Sequence, residues 1–212
     1  MPKFKTSQLA NKYLSDLFGV EIGGSAHNGF GLNTINVDYT DDMNTRFKQE
    51  EIEMCGQAME VDVVSEGDAL PFPDKSFDFV ISSHVLEHIY DPIKAVQEWE
   101  RVAKKYIYII VPNKEKTFDR DKDDTPLQRL TERYLSDNIP DNANDRGHKT
   151  IWSPTTFRKF CEYCAQHLGL EIVQFLDTDD KVGNGICVLF KVLEELNSFE
   201  RFKFEFKNFK GY

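Results

Sequence analysis

The sequence predicts an α/β fold with a doubly wound, mostly parallel sheet of seven strands. Short apolar segments alternate with amphipathic segments of helical period over residues 6–111. Continuous apolar segments indicate strands that are covered on both faces, as in a parallel sheet flanked by helices. Two later apolar segments flank a polar loop and predict a C-terminal antiparallel hairpin at the sheet edge. A chain of 212 residues is long enough to bury its own core, so we expect one domain over residues 1–212.

The elements follow from hydrophobic period and from capping residues. Asp91 followed by Pro92 is a typical helix start, and Ser153 followed by Pro154 starts another helix that Gly169 ends. The predicted strands are 19–24, 35–39, 61–64, 77–82, 106–111, 170–176 and 186–192, and two further helices are predicted at 6–18 and 42–55.

Two segments depart from this alternation. Residues 114–147 are charged and contain Pro126 and Pro140, which predicts an inserted lid on the substrate side. The tail at 193–212 has phenylalanines whose spacing fits a helix and a strand equally well, and we expect it to cover the core or to form a homodimer contact.

Composition excludes several classes of function. Acidic residues outnumber basic ones and give a net charge of −10, which disfavours binding to nucleic acids and to anionic membranes. The longest apolar run, 106–111, is too short to span a bilayer, so no membrane insertion is expected. Four cysteines do not make a disulfide scaffold in a chain of this length, and a reduced, cytoplasmic setting is predicted.

Acidic and glycine residues follow successive predicted strands. Gly23 and Gly24 end the first strand, Asp38 ends the second, and Asp68 follows the third. Ligands of doubly wound sheets bind beyond the carboxyl ends of the strands. Glycine lets backbone approach a ligand closely, and carboxylates accept hydrogen bonds from ribose hydroxyls or from an exocyclic amine. This arrangement predicts a nucleotide-like cofactor.

The segment GDALPFPDKSFDFV at 67–80, followed by VLEH at 85–88 and Asp91-Pro92, resembles the class I S-adenosylmethionine-dependent methyltransferases of the small-molecule, type 11-like kind. The resemblance implies a Rossmann-like fold and S-adenosyl-L-methionine as cofactor. It also implies the cofactor-binding residues: Glu21, Gly23 and Gly24 at the methionine end, Asp38 at the ribose, Asp68 and the Ala69 backbone at the adenine, and Ser83 with His84 along its edge.

The glycine loop departs from the family pattern. Residues 24–35 are barely enough for a crossover between parallel strands, and Gly29 and Gly31 disfavour a long helix within them. The first crossover helix is therefore predicted to be one turn long or missing. Ser25, His27 or Asn28 is then expected to substitute in binding the methionine carboxylate.

Three histidines are candidate catalytic bases. His84 and His88 follow the fourth strand, and His148 follows the insertion. A base assists methyl transfer to a hydroxyl, and histidine titrates nearest neutral pH. Residues 84–88 also match a His-x-x-Glu-His zinc pattern, but a long helix and a third ligand are missing there, so no metal site is predicted.

The predicted function is methyl transfer, by in-line displacement, to an oxygen of a small-molecule acceptor. The resemblance implies a sugar, a nucleotide sugar or a surface-polysaccharide precursor, phosphorylated ones included. Two alternatives stay open. The first is a catalytically silent binding or regulatory module, with which the atypical glycine loop is consistent. The second is a NAD(P)-dependent sugar enzyme, which would need a Gly-x-Gly-x-x-Gly motif that residues 24–31 do not supply.

Overall fold

The computed structural model describes residues 5–136, 138–141, 143 and 145–193. Within them the strands are β1 (Phe18–Ile22), β2 (Asn33–Asp38), β3 (Val63–Val64), β4 (Phe77–Ser83), β5 (Ala103–Pro112), β6 (Leu170–Leu176) and β7 (Gly185–Val192). The helices are α1 (Gln8–Leu14), α2 (Arg46–Cys55), α3 (Pro92–Val102), α4 (Leu127–Tyr134) and α5 (Pro154–His167). The predicted tail lies outside the described residues after Leu193.

The described strands form one sheet in the order β3-β2-β1-β4-β5-β7-β6. Strands β1 to β5 are parallel, and β7 is antiparallel to both β5 and β6. The predicted fold class is confirmed, including the C-terminal antiparallel hairpin. Because the chain runs outward from β1 to β3 and then returns to β4 beside β1, the connections diverge at the carboxyl ends of β1 and β4.

Both faces of the sheet are covered. Helix α3 begins at Asp91, whose carboxylate accepts from the amides of Ile93 and Lys94, and it buries a stripe that includes Trp99. Helix α5 packs on the same face through residues such as Phe157. Helix α1 covers the opposite face with Ala10 and Leu14. No helix in the described part of the chain is long and apolar enough to span a bilayer.

The first crossover has no helix. Residues 23–32 are all described and connect β1 to β2 through turns and irregular backbone. The predicted loss of the first helix is therefore confirmed. The insertion at 114–147 contains α4, a helix that the sequence did not predict, and its described remainder is a single 3₁₀ turn at Lys114–Lys116 with loops.

Strand β3 is shorter than predicted. Only Val63 and Val64 pair with β2. Just before them, the side chain of Asp62 replaces a backbone carbonyl as the acceptor of a β2 amide. The Asn36 amide donates to Asp62 Oδ2 at 2.7 Å, and the Asp62 amide donates to the Asn36 carbonyl at 3.0 Å. A side-chain hydrogen bond replaces the ladder there and ends the strand.

Candidate active site

A cavity of about 930 Å³ lies at the carboxyl ends of β1, β2 and β4. The turn at 65–68 and the insertion complete its walls. Its volume is at the upper end of the range of small-molecule sites and leaves room for a nucleoside cofactor beside a second small molecule. Twelve of the predicted site residues line it: Glu21, Gly23, Gly24, Ser25, His27, Asn28, Asp38, Asp68, Ser83, His84, His88 and His148.

The two glycines after β1 are held by their amides. Gly23 has φ +66° and donates to the Val37 carbonyl at 2.7 Å, and Gly24 donates to Asn36 Oδ1 at 2.9 Å. A Cβ on Gly23 would lie 2.5 Å from Val85 Cγ2, so a side chain does not fit there. The backbone of Gly23 and Gly24 therefore lines the cavity directly at the end of β1, with no side chain in between.

Glu21 places a buried carboxylate at the same end of the cavity. Burial raises the pKa of Glu21 from 4.5 to about 7, although a hydrogen bond from Thr34 Oγ1 at 3.4 Å and the nearby Lys181 oppose this rise. A group with such a pKa exchanges its proton near neutral pH. It is therefore sensitive to any cation that enters the cavity.

Side chains from elsewhere fix the loop that replaces the first helix. Asn28 Nδ2 donates to Ser83 Oγ at 3.1 Å, and Lys181 Nζ donates to the Gly29 carbonyl at 2.8 Å. Glu51 of α2 accepts from the Ala26 amide. The buried Asn28 Oδ1 has no hydrogen-bond partner among the described residues, so an acceptor oxygen is left unused in this cavity-lining loop.

Asp38 and Asp68 lie where the sequence predicted them. The Tyr39 amide donates to Asp38 Oδ1 at 2.7 Å, and Lys48 Nζ lies 3.4 Å from Asp38 Oδ2. Burial raises the pKa of Asp38, and Lys48 opposes that shift. Asp68 Oδ2 pairs with Lys94 at 3.1 Å. Both carboxylates face a common cavity, as the cofactor hypothesis requires.

Ala69 does not line the cavity. Its amide donates to the Glu66 carbonyl at 3.2 Å and is used within the turn. Arg146, from the insertion, reaches this turn by donating to both carboxylate oxygens of Glu66 at 2.8 and 3.1 Å, and its guanidinium lies 3.9 Å from the ring centroid of Tyr39. The insertion therefore closes over the wall that carries Asp38 and Asp68.

The three candidate histidines surround one carboxylate. His84 Nδ1 and His88 Nε2 each lie 3.8 Å from Glu87 Oε1, and His148 Nε2 lies 3.9 Å from the same atom. We call His84, Glu87, His88 and His148 the histidine cluster. The structure thus brings His148 next to His84 and His88, which lie about sixty residues earlier in the chain.

Burial controls the charge of the histidine cluster. It lowers the pKa of both His84 and His88 to about 4, so both rings are neutral at physiological pH. It also raises the pKa of Glu87, which is 1% exposed, to about 8. His148 is held by Asp119, whose Oδ2 lies 2.6 Å from His148 Nδ1.

Asp119 itself stays ionised. Burial would raise its pKa, but hydrogen bonds from Lys122 and His148 hold that pKa below its usual value. Glu87 was not predicted from the sequence as a site residue. The one available signal was the His-x-x-Glu-His pattern, which drew attention to the two histidines. It did not show that the glutamate between them is buried.

Residues 18–111 match the family model described as a methyltransferase domain. The chain is 33% identical over 86 residues to an uncharacterized protein of Methanocaldococcus jannaschii, covering 40% of this chain and 34% of that protein. It is 47% identical over 47 residues to ajmaline N-methyltransferase of Rauvolfia serpentina, covering 21% of this chain and 16% of that enzyme. The chain therefore spans about a third or less of the length of these curated relatives.

Solved structures agree with the fold. An S-adenosylmethionine-dependent methyltransferase from Methanosarcina mazei superposes with a TM-score of 0.54 at 18% identity, covering 89% of this chain and 98% of that one. Another from Thermotoga maritima gives a TM-score of 0.52 at 17% identity, with 87% and 86% covered. Residues 18–111 are thus similar to a methyltransferase domain, and the chain has the fold of the S-adenosylmethionine-dependent methyltransferases. This likeness supports S-adenosylmethionine as the cofactor.

Proposed function

We propose that this chain transfers the methyl group of S-adenosylmethionine to an oxygen of a small-molecule acceptor. The observation that carries the proposal is the composition of the cavity. One side of it is lined by the glycines and carboxylates that follow β1, β2 and β3, and the other side by the histidine cluster. A methyl donor and a proton acceptor would therefore meet in the same enclosed space.

The residues on the first side fit the cofactor. Asp38 offers carboxylate oxygens to ribose hydroxyls, and Asp68 offers them to the adenine amine. Glu21 and the unused Asn28 Oδ1 offer acceptors to the ammonium group of the methionine end. The cofactor supplies a methyl group on a sulfonium, from which a neutral thioether is a good leaving group. The protein's own task is then to align the two reactants and to exclude water.

The histidine cluster supplies the proton acceptor. Transfer to a hydroxyl oxygen forms a carbon–oxygen bond, and the hydroxyl proton must leave. His148 is the best placed of the three histidines, because Asp119 fixes its Nδ1 and leaves the Nε2 lone pair toward the cavity. His88 has a similar arrangement, with Nδ1 2.7 Å from the Arg146 carbonyl. His84 is the third candidate and lies directly after β4.

The walls of the second side suit an amphipathic, anionic acceptor. Phe118 is 79% exposed and its ring stands 4.9 Å from that of His148, which offers an apolar surface beside the proposed base. Lys116 and Arg133 also line the cavity, and their hydrogen bonds go to neutral oxygens. Lys116 donates to Thr178 Oγ1, and Arg133 donates to the Tyr90 and Lys149 carbonyls, so their charges are not neutralised by these partners. These features support a sugar, nucleotide sugar or phosphorylated surface-polysaccharide precursor as the acceptor.

Two measurements test the proposal. Isothermal titration with S-adenosylmethionine and with S-adenosylhomocysteine is expected to show saturable binding of both. Incubation of the protein with the cofactor and a panel of nucleotide sugars and sugar phosphates, read by mass spectrometry, is expected to give a singly methylated product. Binding without any product across the panel would instead favour the silent binding module, and absence of cofactor binding would contradict the proposal itself.

Variants locate the base. His148→Ala and His88→Ala are each expected to lower kcat more than tenfold, since general bases contribute about 10²–10⁴ in rate. Their affinity for the cofactor should stay within about twofold. His167→Ala is the matched control because His167 is exposed on α5 and does not line the cavity. Near-full turnover in both cluster variants would show that no general base among them is needed.

A further inference from the structure

We propose that the histidine cluster binds one divalent transition-metal cation of the Zn²⁺ kind. The ligands are the Glu87 carboxylate and the Nε2 atoms of His88 and His148. The sequence alone predicted no metal site, because it offered His84 and His88 as a pair without a third ligand. The structure offers a different set, in which His148, which directly follows the insertion, joins Glu87 and His88 of the turn after β4.

The distances suit a cation. One ligand atom from each of the three side chains lies within 4.8 Å of the others. The two histidine nitrogens are 3.8 and 3.9 Å from Glu87 Oε1. Ligands about 2.0–2.2 Å from a tetrahedral zinc ion are separated by roughly 3.3–3.5 Å. The two distances from Glu87 Oε1 exceed this range by about half an ångström, which small side-chain rotations can close.

The other ring nitrogens are already oriented for metal binding. His88 Nδ1 lies 2.7 Å from the Arg146 carbonyl oxygen, and His148 Nδ1 lies 2.6 Å from Asp119 Oδ2. Each oxygen accepts from the Nδ1–H and fixes the tautomer that leaves Nε2 unprotonated. A histidine that ligates a metal almost always donates its second ring N–H to a carbonyl or a carboxylate in this way.

Glu87 needs a partner that the described residues do not supply. The residue is 1% exposed, and its Oε2 is buried without a hydrogen-bond partner among the described residues. A buried carboxylate is costly unless it is paired, protonated or bound to a metal. The two neutral imidazoles, 3.8 and 3.9 Å from Oε1, do not stabilise the ionised form of Glu87, whereas a bound cation would.

The site would remain open toward the cavity. All three ligands line it, and the rings of Phe47 and Phe118 flank His88 and His148 at centroid distances of 5.8 and 4.9 Å. Two histidines and one glutamate form a donor set of catalytic zinc sites, which keep a position free for water or substrate. A hydroxyl at that position would lose its proton more readily.

The inference is independent of methyl transfer. It goes beyond the proposed function, since the cation would be bound whether or not the cofactor is present. With the metal in place, His88 and His148 use Nε2 as ligands and cannot accept a proton there. The two roles of His148 are therefore exclusive: in the metal-free protein it is the proposed proton acceptor, whereas in the metal-bound protein the cation would lower the pKa of a bound hydroxyl instead.

The test is metal binding by the full chain. The protein is stripped with a chelator, dialysed, and titrated with Zn²⁺ by calorimetry and with Co²⁺ by absorption spectroscopy. We expect one equivalent to bind, with the d–d bands of nitrogen and oxygen ligands. A thiolate charge-transfer band would instead assign the metal to Cys161 and Cys164 and would overturn the proposal.

Variants decide the ligand set. His88→Ala and His148→Ala are each expected to weaken Zn²⁺ binding at least tenfold, whereas His167→Ala leaves it unchanged. Glu87→Gln keeps the shape of the side chain and serves if an alanine variant fails to fold, which circular dichroism shows. Unchanged Zn²⁺ affinity in folded cluster variants, or no saturable binding by the wild type, overturns the inference. Cofactor titrations run in parallel separate this result from that of the proposed function.

Discussion

The pKa of Glu21 predicts that cofactor binding depends on pH. Burial at the end of β1 raises this pKa to about 7, so in the free protein the side chain is mostly protonated at pH 6. S-adenosylmethionine brings an ammonium and a sulfonium cation into the same cavity. These charges favour the ionised carboxylate, so binding should release a proton below pH 7.

The size of the pH effect on cofactor affinity follows from the shift in the pKa of Glu21. If the cations return the pKa of Glu21 to its ordinary value of 4.5, the affinity rises about tenfold for each pH unit between the two values and levels off above pH 7. Between pH 5.5 and pH 7 the dissociation constant should therefore fall on the order of tenfold. The stability of the free protein depends on pH in the opposite direction to the cofactor affinity. The raised pKa contributes stability below pH 4.5, and that stability is lost as pH rises through about 7.

Calorimetric titration in two buffers of different ionisation enthalpy measures both the affinity and the protons released. We expect close to one proton per cofactor at pH 6. Glu21→Gln should bind more weakly, with no proton release and a flat pH profile. Thr34→Val removes the hydrogen bond that lowers the pKa of Glu21, so its profile should move to higher pH. A wild-type affinity that does not change with pH, or the same slope in Glu21→Gln, would refute the reasoning.

Two further predictions concern the walls of the proposed cofactor site. Gly23→Ala should raise the dissociation constant of the cofactor at least tenfold, because its Cβ would lie 2.5 Å from Val85 Cγ2. Gly31→Ala is the control, because Gly31 also has a positive φ but a Cβ there would meet no atom within 4 Å. Calorimetry should show unchanged cofactor binding for this control. Trp99→Phe removes the 2.7 Å hydrogen bond from Nε1 to the Gly67 carbonyl, and urea denaturation should show a loss of about 1–3 kcal/mol in the free energy of unfolding. Equal cofactor affinity of the two glycine variants, or unchanged stability of the tryptophan variant, would contradict these expectations.

The parts of the fold predicted correctly are those whose hydrophobic pattern is complete within one segment. Strand β5 and helix α3 each bury nearly all their apolar residues, so their periods are visible in the sequence. Helix α4 buries only Leu130, and it is held by packing against α3 and α5. Residues 127, 131 and 134 lie partly buried on the same face as Leu130. This helical spacing is present in the sequence, but the charged residues and prolines around it indicate a loop rather than a helix.

The candidate site was likewise predicted from the sequence only in part. Asp38 and Asp68 could be placed because the end of a parallel strand is a position that topology defines. The environment of Glu87 could not, because it is created by a segment about sixty residues further along. The amides of Lys149 and Thr150 donate to the Glu87 carbonyl at 2.7 and 3.2 Å, and this pairing sets His148 beside the carboxylate. No local pattern encodes such a contact.

The missing first helix shows how a cavity wall is kept rigid by other means. In its place Phe30 packs its ring on Tyr108 of the sheet, with centroids 5.9 Å apart, and Lys181 lies over the same ring at 4.5 Å. Lys181 also bonds the Gly29 carbonyl, while Asn28 bonds Ser83 at the end of β4. Helical hydrogen bonds are local, whereas these contacts reach the loop from β4, β5 and the β6–β7 connection. The loop's geometry therefore depends on the closing hairpin. A change at Lys181 should reach the methionine end of the proposed cofactor site both through this loop and through the loss of its charge near Glu21.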